Sequence, residues 1–225
     1  MAECETGAKA LNKVVVAICC ALSAFFLAGV LSGCASQTPT EATQQFLDGV
    51  KANDAESIQE VYSGDPNTIF SIYQEDLSSE EAEGVTSQEV EDAVQNDLLP
   101  KLREFDYELS NEQVNGETAT VDVKITTYAA GDAFSSFLSD YMSQAFTLAF
   151  SGASEDDLTQ LAASIFSSKI KSMDKSYTET VSLALTKTDN VWKVDSLSED
   201  SEMSDAFLGG LLSAFDSFNA AYGTE

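Results

Sequence analysis

The hydrophobic period of this chain changes near Phe105, and that change restricts its fold more than any other feature. Phe105, Tyr107 and Leu109 alternate with polar residues, and Ala119, Val121, Val123, Ile125 and Thr127 do so again after Asn115-Gly116. A twofold period puts every second side chain on one face, and Asn-Gly favours the tight turns that join antiparallel strands. The stretch therefore reads as a β-hairpin with one apolar face. Tyr177 to Lys187 (with Val181, Leu183 and Leu185) and Val191-Trp192-Lys193-Val194 read as a second hairpin around Thr188-Asp189-Asn190. A lone hairpin is marginal in water, so these faces need helices or further strands to cover them.

The rest of the chain offers helices. Thr38-Pro39-Thr40-Glu41 has a cap, a proline at the first helical position and a capping-box carboxylate. Ala42, Phe46, Leu47 and Val50 follow on one face, and Asp54 can cap a second helix bearing Ile58, Val61 and Tyr62. Ser63-Gly64-Asp65-Pro66 reads as a loop, and Thr68 to Asp76 fits helix or strand equally. Ser78 to Glu83 is an acidic link. Thr86-Ser87-Gln88-Glu89 is another capping box, opening a helix with Val90, Val94, Leu98 and Leu102 inside, and Pro100 predicts a kink or break there.

After Gly131-Asp132, Phe134, Phe137, Leu138, Tyr141, Ala145, Phe146 and Ala149 form a broad apolar stripe at helical spacing. Ser151-Gly152 ends it, and Ser154 with Asp157 caps a partner helix carrying Leu158, Leu161, Ile165, Phe166 and Ile170. The two predict a helical hairpin inserted at about 131–172. A last helix is expected from Ser204 to Tyr222, with Phe207, Leu211, Phe215, Phe218 and Tyr222 aligned. Gly209-Gly210 would weaken it by about 1 kcal/mol each relative to alanine, unless close packing requires them. The pattern as a whole is α+β.

The N-terminus carries a different kind of information. Lys9 and Lys13 precede an uncharged apolar run, Val14 to Val30, which ends in Leu31-Ser32-Gly33-Cys34. A basic start followed by a short apolar core is the form of an export signal. The last four residues resemble a bacterial lipobox, with Leu31, Ser32 and Gly33 as the signal-peptidase recognition residues. That resemblance implies cleavage before Cys34, diacylglycerol on its thiol, acylation of the new amino group, and a domain held at the membrane facing away from the cytoplasm. Two or more acyl chains anchor firmly where one is marginal. An uncleaved membrane helix and a plain secretory signal are the alternatives. The expected organisation is a signal peptide at 1–33, lipidated Cys34 with a tether to residue 40, and one domain over 41–225.

Composition then removes whole classes of chemistry. The net charge is −27 and there is no histidine. Residues 1–33 hold two acids and two bases, so processing leaves that charge unchanged. An acidic surface repels nucleic-acid backbones and anionic headgroups. Without histidine there is no Ser-His-Asp or Cys-His centre and no imidazole base. Cys4, Cys19 and Cys20 lie in the signal segment, so a processed chain keeps only Cys34, leaving no disulfide framework and no free thiol nucleophile. Three acidic groups (Glu80-Glu81-Glu83, Glu155-Asp156-Asp157, and Asp195 with Glu199, Asp200 and Glu202) lack the spacing of a calcium loop. No metal is expected, and no cofactor, since phosphate-loop and dinucleotide motifs are absent.

The opening "EATQQFLDGVKANDAESIQEVYSG" and the closing "TKTDNVWKVDSL" are similar to small bacterial lipoproteins with a cystatin-like domain, of the nuclear-transport-factor-2-like superfamily. The resemblance spans Thr38 to Tyr73 and Phe105 to Leu197. It implies a cone: a curved antiparallel sheet wrapping a helix, often around a pocket, here with the inserted helical hairpin able to fill or lid the mouth. A non-catalytic module for a small apolar ligand or an envelope protein is the expected function, with Trp192, Phe137 and Tyr141 as candidate contact residues. The alternatives are an isomerase- or hydrolase-like enzyme with an Asp or Glu base in the cone, and an accessory subunit of an envelope complex.

Overall fold

A computed structural model describes residues 37–71, 88–198 and 200–222. Leu31 to Cys34, Ile72 to Ser87 and Glu199 lie outside the described residues, and with them the expected acidic link and the capping box at Thr86. The first hairpin is present as β1 (Asp106–Asn115) and β2 (Thr118–Thr127). Gly116 takes φ +66 at the first central turn position, as a type II′ turn requires. The second hairpin is β3 (Tyr177–Thr188) and β4 (Val191–Val194), joined through Asp189 and Asn190, both left-handed at φ 51 and 67. That is the type I′ pattern, which matches the right-handed twist of the strands. Together they make a four-stranded antiparallel open sheet in the order β1-β2-β3-β4.

Cross-strand pairs Ala119–Leu185, Val121–Leu183 and Val123–Val181 build one apolar face. Thr118, Thr120, Thr178 and Thr180 on the opposite face are exposed. β1 departs from simple alternation. Between Ser110 and Gln113 the register slips, so that Asn111 and Glu112 share one partner position opposite Val121. Asn111 is left-handed (φ 52) and its Nδ2 donates to Asp122 at 2.8 Å.

The apolar face is covered by helices. α1 (Pro39–Ala52) has the expected capping box at Thr38 and buries Ala42, Phe46, Leu47 and Val50. Its start is bound to the bulge: Glu112 accepts from the Thr40 backbone N–H at 2.9 Å and from its hydroxyl at 2.6 Å. A carboxylate suits the positive end of a helix. α2 (Ala55–Val61) is capped by Asp54, whose carboxyl is held below its usual range by the Ser57 hydroxyl and backbone N–H. The ambiguous segment after Pro66 is helical over α3 (Pro66–Ser71).

At Pro100, where a kink or break is expected, helix continues from Gln88 to Arg103 by way of a change in winding. Between α4 (Gln88–Ala93) and α5 (Leu99–Arg103), Val94–Leu98 form a π-helical turn, with the Leu99 N–H reaching the Val94 carbonyl. A proline ring clashes with the carbonyl four residues back. One wider turn takes up that clash and keeps Val94, Leu98, Leu99 and Leu102 buried.

The helical hairpin is α6 (Ala130–Phe150) and α7 (Glu155–Lys171). Lys101 fastens its base, donating to the Ile170 carbonyl at 2.7 Å and lying 5.3 Å from the Tyr128 ring centroid. The single C-terminal helix expected over Ser204 to Tyr222 is two, α8 (Glu202–Phe207) and α9 (Leu211–Tyr222). Gly209 and Gly210 between them are left-handed, at φ 61 and 79. Close packing dictates the break. The Gly209 carbonyl accepts from Gly131 N–H at 3.0 Å, and a Cβ on Gly209 would lie 2.0 Å from the Tyr128 oxygen.

Gly209→Ala should therefore destabilise the fold by about 3 kcal/mol, through a backbone collision added to left-handed strain. Gly152 is also left-handed (φ 82) with open space around it, so Gly152→Ala should cost only about 1 kcal/mol. Thermal unfolding followed by circular dichroism separates the two, with a melting temperature for Gly209→Ala several degrees below that of Gly152→Ala.

Candidate interaction surface

A cone that binds a small molecule needs space between sheet and helix. Here Phe46, Leu47, Ile58, Phe105, Val121, Val123, Ile125, Val194 and Phe207 meet over the sheet and are fully buried. Phe105 and Phe207 pack at 5.1 Å between centroids, and Phe46 and Tyr62 at 5.2 Å. Trp192 belongs to this core: it is 4% exposed, with the Lys187 ammonium 5.5 Å from its ring centroid. Its ring is packed by the protein's own side chains and has no open face to offer a ligand.

Asp54, Asp106 and Asp157 have carboxyls held below the usual range, Asp106 first by its hydrogen bond to Lys175 at 2.6 Å. All three are exposed, and each serves a helix cap or an ion pair. Two phenols are raised. Tyr107 is pushed up by burial and by its bond to Asp48 at 2.6 Å. Tyr177 is pushed up to about 12 by burial, then by the charges of Asp205 and Glu179. Of the three acidic groups, Asp157 is occupied in capping α7, accepting from the Ser154 N–H and hydroxyl at 2.9 and 2.7 Å. Among the described residues no group of three or more carboxylates, cysteines or histidines is placed to hold a metal ion.

The second apolar layer lies among α6, α7 and α9. Phe134 packs on Phe215 at 4.3 Å, and Phe137 meets Tyr141 in a stack at 5.9 Å and Phe166 edge-on at 5.5 Å. Beside Phe134 a small cavity of about 70 Å³ is lined by apolar side chains and Lys169. Ligand pockets occupy about 300 Å³ or more, so this is a packing void. Lys169 is taken by Asp140 at 2.6 Å.

Phe137 and Tyr141 are thus half-buried within the helical layer, and the open surface lies further along α6. Met142, Phe146 and Phe150 continue an i, i+4 ridge that begins at Phe134 and Leu138. Phe146 is 65% exposed and Phe150 89%, and Tyr222 on α9 is also exposed. Gly131 abuts Gly210 and Ala214, and Phe134 meets Phe215 and Phe218, which fixes the side of α6 that faces α9. Each i, i+4 step turns about 40° round a helix of 3.6 residues per turn, so Phe146 and Phe150 lie roughly 120° and 160° round from Phe134, away from that side. The exposed ridge has a sequence mark as well: Tyr141 to Ser154 contains no charge in a chain of net −27.

No protein-family model matches this chain, and no curated protein matches it. A solved structure of a candidate lipoprotein, YcdA of Bacillus subtilis, is similar in fold, with a TM-score of 0.50 at 16% identity. The similarity covers 76% of this chain and 56% of that one, so the present chain corresponds to little more than half of YcdA. Among the described residues, no helix is long and apolar enough to cross a membrane.

Burial on the two halves of α6 predicts opposite responses to substitution. Phe137→Asp would place a charge among three aromatic rings and should destabilise the fold by about 3 kcal/mol. Phe150→Ser should change stability by less than about 0.5 kcal/mol. Urea unfolding of both variants checks this, and equal effects would mean that Phe150 is packed.

Proposed function

We propose that the chain is an envelope lipoprotein, anchored through Cys34 and carrying a non-catalytic protein-binding domain of the cystatin-like class. The observation that carries the binding reading is where apolar surface is used up and where it is left over. The face of the sheet that would line a ligand pocket is filled by Phe46, Phe105, Phe207 and their neighbours, whereas Phe146 and Phe150 project into solvent. Contiguous exposed aromatics on an otherwise charged protein mark interaction sites. An acid–base enzyme in the cone is less well supported, because that reading requires an open pocket and a carboxyl raised toward neutrality.

The anchor rests on Leu31-Ser32-Gly33-Cys34, with the basic and apolar segments before it, and the fold shared with YcdA is consistent with it. A lipid is well suited to a domain whose charge of −27 is repelled by anionic headgroups. Fractionation of cells expressing Cys34→Ser tests the assignment. The variant should lose metabolic labelling with a fatty acid and should either leave the membrane fraction or retain its signal peptide. A variant that stays membrane-bound and fully processed would contradict it.

A further inference from the structure

We propose that the exposed row Met142, Phe146 and Phe150 of α6 is a docking ridge for a protein partner with an apolar groove bordered by basic side chains. This rests on the protein-binding reading above and adds the chemistry of the partner. Met142, Phe146 and Phe150 stand at i, i+4 and i+8, the spacing with which a helix lays its apolar ridge into a groove. All three are exposed, because the row winds round α6 away from the side that packs on α9.

Charge selects the occupant. The ridge is uncharged, but the loop after Phe150 leads directly into Glu155 and Asp156, both exposed at the start of α7. Asp157 is consumed by Ser154 and Lys169 by Asp140, which leaves Glu155 and Asp156, five and six residues after Phe150, as the exposed charge that follows the ridge along the chain. A second copy docking ridge to ridge would bring two such acidic pairs together on bodies that each carry −27. An anionic bilayer would meet the same repulsion. Lysine or arginine beside an apolar groove satisfies both parts of the surface.

The probe is an amphipathic helical peptide of leucine and lysine, titrated at physiological salt against residues 37–225. Those residues contain the buried core as the described residues form it, which runs from Ala42 to Leu208. Binding should weaken about tenfold in Phe146→Ser/Phe150→Ser and several-fold in Glu155→Gln/Asp156→Asn, while Glu117→Gln in the β1–β2 turn leaves it unchanged. Equal binding by wild type and the ridge variant would overturn the proposal. Ridge-dependent binding to phosphatidylcholine vesicles, or a ridge-dependent dimer in sedimentation, would overturn it in favour of lipid or a second copy. A photo-cross-linker at Met142 of the full chain in cells tells the two levels of failure apart. Protein adducts despite no preference for the basic peptide overturn only the partner's charge, and lipid adducts or none overturn the protein-binding reading too.

Discussion

Two distant backbone segments touch at Gly131 and Gly209-Gly210, and the division of the molecule into two apolar layers depends on that contact. The Gly131 N–H donates to the Gly209 carbonyl, and side chains at these positions would collide with the Tyr128 and Gly210 oxygens. Because the chain can turn there, Met203, Ala206 and Phe207 of α8 enter the core over the sheet. The residues beyond the turn go elsewhere, and Phe215 and Phe218 of α9 pack on Phe134. A continuous helix would have presented one straight stripe and could not have served both layers. The same contact sets where α9 begins along α6.

Much of this was legible in the sequence, for physical reasons that can be named. Alternation identified β1 to β3 because a sheet with one buried face enforces a period of two. Asn115-Gly116 and Asp189-Asn190 marked the turns because few residues tolerate left-handed backbone. The caps at Thr38, Asp54 and Ser154 were readable because each satisfies backbone donors within three residues. The bulge left only an oblique trace, a spacing of five from Leu109 to Val114 where alternation wants an even step. Pro100 announced a disturbance without specifying a π turn, since several local geometries relieve the same clash. The break at Gly209-Gly210 depends on the carbonyl of Tyr128, far away in sequence, and no local pattern contains it.

The contact surface was harder to read than the fold. Phe137, Tyr141 and Trp192 stand out as large residues on regular elements, yet size and periodicity are equally the signature of core. What distinguishes Phe146 and Phe150 is that they lie round α6 from the side that meets α9, and which side that is only the tertiary contacts of Phe134 reveal. The uncharged window from Tyr141 to Ser154 was the available clue, meaningful only against the acidity of everything around it. That acidity favours a dispersed domain, and the lipid we propose on Cys34 would supply the attachment that charge opposes.

The account stands on the filled interior of the sheet, and native mass spectrometry of residues 37–225, compared with the denatured mass, tests it most directly. The packing of Phe46, Phe105, Trp192 and Phe207 predicts the bare polypeptide mass under both conditions. An excess mass that disappears on denaturation would reveal a bound small molecule and contradict a filled, non-catalytic module.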